Sequence, residues 1–592
     1  MNRYHSPREG SRRAEEAERA GLGPGAFGSL ECGKDRGPVG QLIQRRPFKW
    51  LDARQLWVSR NDRVAAWIHD PVPELRKRWM ARIEAERGEL RDEDLVIELE
   101  PSDRFSCLVL GDPGEGDASQ CAVVPQLLVA GKETSLLFIC SDVVYPVGDT
   151  NDYPAKFYEP YAGYPGPIYA APGNHDWYDE LQGFMLHLCG VEPPEKWEPA
   201  VRRPLLGWVL WRRPRKPRQP AHEARRRRPP GRADQPGPYF AIDAGPILLV
   251  GIETGIKGGL DRGQGQWLRR VSASNPKPKV LVSGKPIYVD GQYRPGQITD
   301  FNWTVDDIVK EPAHRYVAAI GGDVHNYQRY PVRLPGDRTI EYIVSGGGGA
   351  FMHATHRIPK VDLDGVTEEG SDPDPEHGDG FRCFPLRGAS LAFYSRAMRG
   401  PMRRLICDSV LIVLTFAALA AGLLFWQAPD LWAIELAILL ALPAIAYIGV
   451  LIYLLRLRAF AIGFGRVEKL TAEEGTAWLA PRLGDEPTLG PAIELSPEKA
   501  RLAELIYPRL HHTPKGFVHT FFSELFDLDD PPMYKHFLRL DADERQLRIR
   551  CFAAIGTEAT DDPLALEDEV RIDLTKTKPP PDAGASEQDS QW

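Results

Sequence analysis

The chain has 592 residues, is 43% hydrophobic and 26% charged, and is long enough for three or four units of domain size. A net charge of −9 gives no whole-molecule attraction to nucleic acid, so no nucleic-acid partner is expected. Eight cysteines with no C-x-x-C pair argue against a zinc ribbon or a disulfide scaffold and fit a reducing compartment.

Residues 1–100 read as an extension. Its start, rich in Gly, Arg and Glu, carries no apolar run, is expected to be poorly ordered, and does not read as a secretory signal. Between Phe48 and Leu90, Trp50, Leu56, Trp57, Val58 and Trp67 precede ELRKRWMARIEAERGEL. This predicts one or two amphipathic helices that pack on another element.

From Phe105 the texture changes. Phe105–Leu110 runs into Gly111-Asp112-Pro113-Gly114, and Leu136–Cys140 into Ser141-Asp142-Val143-Val144-Tyr145. Pro167–Ala170 leads to Gly173-Asn174-His175-Asp176. Ile247–Glu253, Val280–Pro286 and Val317–His325 repeat the plan. Short apolar runs of this kind predict strands buried on both faces, with polar groups delivered at their C-terminal ends. In open α/β sheets that edge binds ligands. Residues 201–232 hold twelve Lys or Arg, many prolines and the single acid Glu223. They are expected to form a mobile, solvated basic loop, or one that meets anionic lipid headgroups.

Residues 361–400 form an acidic linker and juxtamembrane segment. Val410–Trp426 and Leu436–Leu455 are then free of charge, and each can cross a roughly 30 Å hydrocarbon core as a helix. The short connection makes a hairpin over 401–458, with the bilayer contacted through 405–455. Trp426 and Trp432 sit near one interface. Arg396, Arg399, Arg403 and Arg404 precede the hairpin and Arg456, Arg458 and Arg466 follow it. The positive-inside rule places both flanking regions in the cytoplasm, making this an integral protein of an inner, cytoplasmic membrane. In residues 459–592, the stretches 519–526 and 547–554 alternate as half-buried strands do. About 515–556 is expected to return to the sheet begun at Phe105; a separate C-terminal domain is the competing view.

The strand-end groups are Asp112, Asp142, Tyr145, Asn174, His175, Asp323 and His325. Alone, an Asn-His pair is ordinarily a polar turn, and Tyr145 fits a core aromatic as well as a ligand. Together, carboxylates, an amide carbonyl, a phenol and an imidazole suit a hard or borderline cation. Such a cation binds a phosphate ester and lowers the pKa of a bound water. His175 would then serve the leaving oxygen.

The order GD, SDxxY, GNHD, a strand ending in KPIY, and GDVHNYQR resembles the calcineurin-like metallophosphoesterase superfamily over about residues 105–360. SDVVYP, GDVHNYQRY and the Gly-Asp-Pro-Gly of the first motif look most like its purple acid phosphatase branch. The resemblance implies an α/β (α+β) fold, a metallophosphoesterase-type β-sandwich flanked by helices over 101–360, here with an inserted transmembrane hairpin. It also implies that Asp112, Asp142, Tyr145 and His325 hold a first metal, that Asp142 bridges, and that Asn174 holds a second; His175 and Asp176 beside them are expected to be catalytic. The family's fourth motif has His where this chain has Gly284, next to Lys285; its last motif has His where this chain has Asp323. Three consequences compete. The second ion is weak or a harder one such as Mg or Mn, with Mn, Fe, Zn and Mg open for the centre as a whole. Or Lys285 holds the phosphate in place of that ion. Or the site is degenerate and the chain is a membrane-tethered scaffold or phospho-ligand sensor. His353 or His356, and more remotely His511, His512 or His519, are candidates for the missing imidazole. The expected activity is hydrolysis of a phosphate ester or pyrophosphate bond, in a substrate that the hairpin and the basic loop suggest is lipid-linked or membrane-proximal. Oligomeric state is not legible.

Overall fold

A computed structural model of the chain describes residues 53–193 except 69, 205–216, 218, 234–366 except 360, 380–385, 534–555 and 565–577, with scattered positions between 390 and 452. Two compact units divide the chain, Met1–Pro385 with Asp530–Trp592, and Leu386–Asp529. In the second unit the described positions are scattered helical residues, in runs of three at most. The expected hairpin therefore lies outside the described residues, among which no helix is long and apolar enough to cross a membrane. The stretch 519–526 and His511, His512 and His519 also lie outside them.

The first unit is built on two mixed sheets. Strands β2 (Arg104–Gly111), β3 (Leu136–Ser141) and β4 (Ile168–Ala170) run parallel, and β14 (Tyr534–Asp543) joins β2 antiparallel, pairing Leu538 with Val109. Strands β15 (Gln546–Ile555) and β16 (Ala565–Asp573) extend that sheet, giving the order β16-β15-β14-β2-β3-β4. The second sheet holds β1 (Val96–Glu98), β5 (Phe240–Asp243), β6 (Leu248–Ile252) and β7 (Lys279–Ser283). It continues through β10 (Tyr316–Gly321), β12 (Arg338–Ser345), β11 (Tyr327–Leu334) and β13 (Arg382–Phe384). A two-stranded ribbon, β8 (Tyr288–Val289) with β9 (Gln292–Tyr293), stands apart.

Period-two alternation sorts each strand between two cores. Cys107, Val109 and Phe138 of one sheet meet Phe240, Leu249 and Val282 of the other in the inter-sheet core. Leu108, Leu110, Leu137 and Ile139 face outward, where Leu75, Trp79 and Ile83 of helix α3 (Val72–Arg87) and Leu127 of α4 (Val124–Ala130) cover them. On the far side, Trp267, Leu268 and Val271 of α6 (Arg262–Ser274) cover Val250 and Leu281. Asp261 caps α6 by accepting from the Gln264 amide at 2.9 Å. Both faces of the central strands are thus dry, which explains their continuous apolar runs.

Helices α1 (Ala53–Val58), α2 (Asn61–Trp67) and α3 lead the chain onto the first sheet. Part of the basic stretch folds with them. Leu205–Leu210 is helical, and Arg212, expected in solvent, is buried, donating to Asp179 at 3.1 Å and lying 3.4 Å from Asp149. The backbone amide of Arg212 donates to Asn61 at 2.7 Å.

His536 on β14 is fully buried and neither ring nitrogen has a hydrogen-bond partner among the described residues. Burial, then the charge of Lys535, pushes its pKa down to about 3. A neutral histidine here takes no proton that the unfolded chain would take below about pH 6.5. The unfolded state therefore binds more protons between about pH 6.5 and 3, so stability rises with pH across that window and falls on acidification. Chemical denaturation as a function of pH should show this slope, and His536→Leu should flatten it by up to one proton per chain.

Candidate metal centre

Three aspartates leave three strand ends in the left-handed backbone region: Asp112 after β2 (φ 55°), Asp142 after β3 (φ 36°) and Asp323 after β10 (φ 66°). Among non-glycine residues Asn and Asp tolerate this region best, and the abrupt turn it makes brings all three to one edge of the sandwich. Asp112 and Asp142 are buried, as is Tyr145, whose hydroxyl stands 3.1 Å from Asp112 Oδ1, 2.9 Å from Asp142 Oδ2 and 3.3 Å from His325 Nε2. The aromatic that the sequence left between core and ligand therefore lies at the centre of the cluster. The Asp323 amide donates to Asp112 Oδ2 at 2.9 Å, and the His175 amide to Asp142 Oδ1 at 2.8 Å.

Glycines make room for the carboxylates. A Cβ on Gly173 would lie 2.1 Å from Asp142 Oδ1, and one on Gly346 would lie 2.5 Å from Asp112 Oδ2. Both distances are far inside van der Waals contact. The glycine run after β12 thus serves as a wall of the site.

Asn174 and His175 sit in the single turn α5 (Asn174–Trp177). The Asn174 amide nitrogen donates to Tyr178 Oη at 2.8 Å, while its Oδ1 is buried and has no donor among the described residues. An amide oxygen held out in this way suits a cation. His175 Nδ1 donates to the Pro146 carbonyl at 2.7 Å, which leaves Nε2 as the nitrogen able to carry a proton to a substrate. His325 Nδ1 donates to the Phe351 carbonyl at 2.7 Å, so Nε2 offers its lone pair to the cluster. Metal-binding histidines are commonly oriented by such a bond.

Asp176 has a different task. Its Oδ2 accepts from the Val143 amide at 3.1 Å and the Gly173 amide at 3.0 Å, tying the loops of Asp142 and Asn174 together. Burial, then the Asp142 charge, pushes its pKa up to about 8. His353 accepts from the His325 amide at its Nδ1, 2.8 Å away, and stacks on the His325 ring with centroids 4.4 Å apart. It braces His325 with the nitrogen that a ligand role would need, while the His356 side chain lies outside the described part.

Lys285 Nζ stands 2.6 Å from Asp323 Oδ1. Burial alone would raise the pKa of Asp323, yet the Lys285 charge and hydrogen bond, with His353 and His175, hold it below the ordinary carboxylate range. Asp112 goes the other way: burial, then Asp142 and Asp323, hold it well above that range. Burial, then the charges of Asp112 and Asp142, push Tyr145 up.

One end of the cluster is thus an uncompensated group of acids and the other is already neutralised by an ammonium. Among the described residues no three His, Cys, Asp or Glu side chains yet surround one metal-sized position. Asp112 and Asp142 are bridged by the Tyr145 hydroxyl, and Asp323 is turned to Lys285. The donor chemistry at the Asp112–Asp142–His325 end still fits a cation, since three buried acceptors converge there with a phenol.

The N-terminal helices grip the segment that carries Asn174 and His175. Asn61 donates to the Tyr178 carbonyl at 3.1 Å, and Trp79 Nε1 to the Glu180 carbonyl at 2.9 Å. Buried Arg76 pairs with Glu253, which accepts from Trp177 Nε1 at 2.7 Å. The sequence showed amphipathic helices there but held no sign of what they touch.

A Cβ on Gly284 would lie 2.8 Å from the Pro172 carbonyl oxygen and 3.0 Å from Thr254 Oγ1. The imidazole absent from this position therefore has no space to return. Gly284→His should destabilise the protein by about 1–3 kcal/mol, as overpacking does, without adding a bound metal. Thermal unfolding and elemental analysis of the variant check this.

No known family matches the sequence, and no curated protein does. Several solved structures resemble parts of it, three of which follow. One is a purple acid phosphatase from yellow lupin (Lupinus luteus) seeds, 14% identical over 43% of this chain and 45% of that one, with a TM-score of 0.27. GAP50, the anchor in the inner membrane complex of Plasmodium, is 12% identical over 47% and 80%, with a TM-score of 0.29. PhoD is 14% identical over 44% and 61%, with a TM-score of 0.27. The chain thus spans less than half the length of the lupin enzyme.

Proposed function

We propose that the chain is a membrane-anchored, metal-dependent phosphoesterase that hydrolyses a phosphate ester or pyrophosphate bond. The observation that carries this reading is the convergence of Asp112, Asp142, Tyr145 and His325 on one sheet edge. The bare Oδ1 of Asn174 lies in the neighbouring turn. Asp112, Asp142, His325 and Tyr145 would hold one Mn, Fe, Zn or Mg ion, with the Asn174 oxygen in the neighbouring turn and Asp323 paired to Lys285. A bound ion would supply charge to polarise a phosphoryl oxygen and to acidify a water. Water adds to phosphorus, the ester P–O bond breaks, and the leaving oxygen takes a proton. His175 Nε2 supplies that proton, its ring set by the bond to Pro146. The proton shed by water passes to solvent. The Lys285 ammonium faces the phosphate's charge, a favourable arrangement in a site with little water. Asp176 and Arg76 position these groups.

Anchoring rests on the two uncharged runs within 405–455 and their arginine flanks. The same features support cytoplasm-facing flanking regions and a membrane-proximal substrate. A second reading, a phosphate sensor without turnover, draws on the Lys285–Asp323 pair, which neutralises one end of the cluster.

The full chain purified in detergent, assayed on phenyl phosphate, bis(p-nitrophenyl) phosphate and inorganic pyrophosphate with each of the four ions, tests the proposal. Turnover should appear with at least one ion. Asp142→Asn should abolish it, and His175→Ala should lower kcat roughly 100-fold or more with unchanged circular dichroism. A protein inert on all three substrates with every ion, or an Asp142→Asn variant that keeps its turnover, would contradict it.

A further inference from the structure

Beside the acidic cluster lies a cavity of about 140 Å³ that the proposed reaction has not used. Lys285 and Asp323 are among its lining residues, so it adjoins the candidate centre. Lys257 and Arg294 line it as well, while Ile256, Leu260, Ile287 and Val305 give it apolar sides. Its charged lining is three cations against one carboxylate, and that carboxylate is already paired with Lys285 at 2.6 Å. Among the described residues neither Lys257 nor Arg294 is recorded in an ion pair.

The local backbone presents these cations to the cavity. Lys257 lies in a turn closed by the Gly258 amide on the Thr254 carbonyl at 3.0 Å. Gly258 has φ +87°, and a Cβ there would come within 3.1 Å of Lys285 Cδ, so the bare glycine lets the Lys285 stem pass. The Arg294 amide donates to the Ile287 carbonyl at 2.7 Å, and its guanidinium to Gln292 at 3.0 Å, which anchors it after the β8–β9 ribbon. Apolar sides limit water and strengthen attraction between an anion and these cations. The volume suits one phosphoryl-sized group with some water.

We propose that this cavity is a subsite for a second phosphoryl group, so that the substrate class is a diphosphate, with one phosphoryl group at the candidate centre and its neighbour between Lys257, Lys285 and Arg294. This rests on the phosphoesterase reading above and narrows its substrate. A lipid-linked diphosphate and a water-soluble one share this chemistry.

The test uses the full chain in detergent, with inorganic pyrophosphate, farnesyl diphosphate and inorganic phosphate as probes. Binding is measured by calorimetry in the His175→Ala background, which keeps the metal-binding residues and slows turnover. Both diphosphates should bind at least tenfold more tightly than phosphate, and the exposed double substitution Lys257→Ala with Arg294→Ala should remove that preference, as loss of charge-assisted hydrogen bonds does. Lys257→Arg with Arg294→Lys should restore most of it. Tighter binding of farnesyl diphosphate would support the subsite with a lipid source; equal binding of the two would support it with a soluble source. Diphosphate binding no tighter than phosphate, or unaffected by the double substitution, would overturn the subsite even if esters are hydrolysed. Diphosphate binding that the double substitution abolishes, in a wild-type chain without any turnover, would keep the subsite and sink the enzyme.

Discussion

Two buried carboxylates, Asp112 and Asp142, share one tyrosine hydroxyl, and a third, Asp323, lies beside them. Like charges this close, out of water, cannot all be ionised without a cation. The rest of the site can be understood as a response to that constraint. Left-handed turns at three strand ends aim the acids at one point, and glycines stand wherever a Cβ would strike a carboxylate. Lysine answers the charge at one end. At the other, only a proton or a metal ion can answer it.

The supports of this arrangement come from distant parts of the chain. Strand β14 pairs with β2, so residues on either side of 386–529 share one sheet. Lys535 of β14 donates to the Ala350 carbonyl in the glycine-bearing loop. The N-terminal helices hold the segment after Asn174 through Asn61, Arg76 and Trp79. The extension and the C-terminal strands are therefore parts of the site's frame. Bringing Lys285 and Asp323 together also joins the acidic end of the site to a basic cavity, and that polarity is what an anionic substrate would meet.

Much of this was legible because a strand buried on both faces leaves a continuous apolar run, and such runs mark Phe105–Leu110, Leu136–Cys140 and Val317–Ile320. The turn residues that follow them carry the chemistry, so Asp112, Asp142 and His325 could be found by position alone. Contacts between sequence-distant groups were not legible. Nothing in the sequence pairs Arg76 with Glu253, places His353 on His325, or buries Arg212 in a stretch whose composition reads as solvated. The role of Asp176 was also hidden, because an aspartate beside a histidine has the same one-dimensional pattern whether it faces substrate or braces two backbone amides. Gly284 showed only as a missing imidazole; the backbone oxygen of Pro172 that excludes any side chain there belongs to another strand end.

In the proposed reading the acidic cluster holds metal and Lys285 supplies the charge at its other end. Counting metal ions per chain tests it most directly, by elemental analysis of detergent-purified protein beside an Asp142→Ala control. The account predicts one ion in the wild type and about none in the control. Two ions would show that Lys285 does not replace the second. None, even after incubation with Mn, Fe, Zn and Mg, would contradict the metal centre itself.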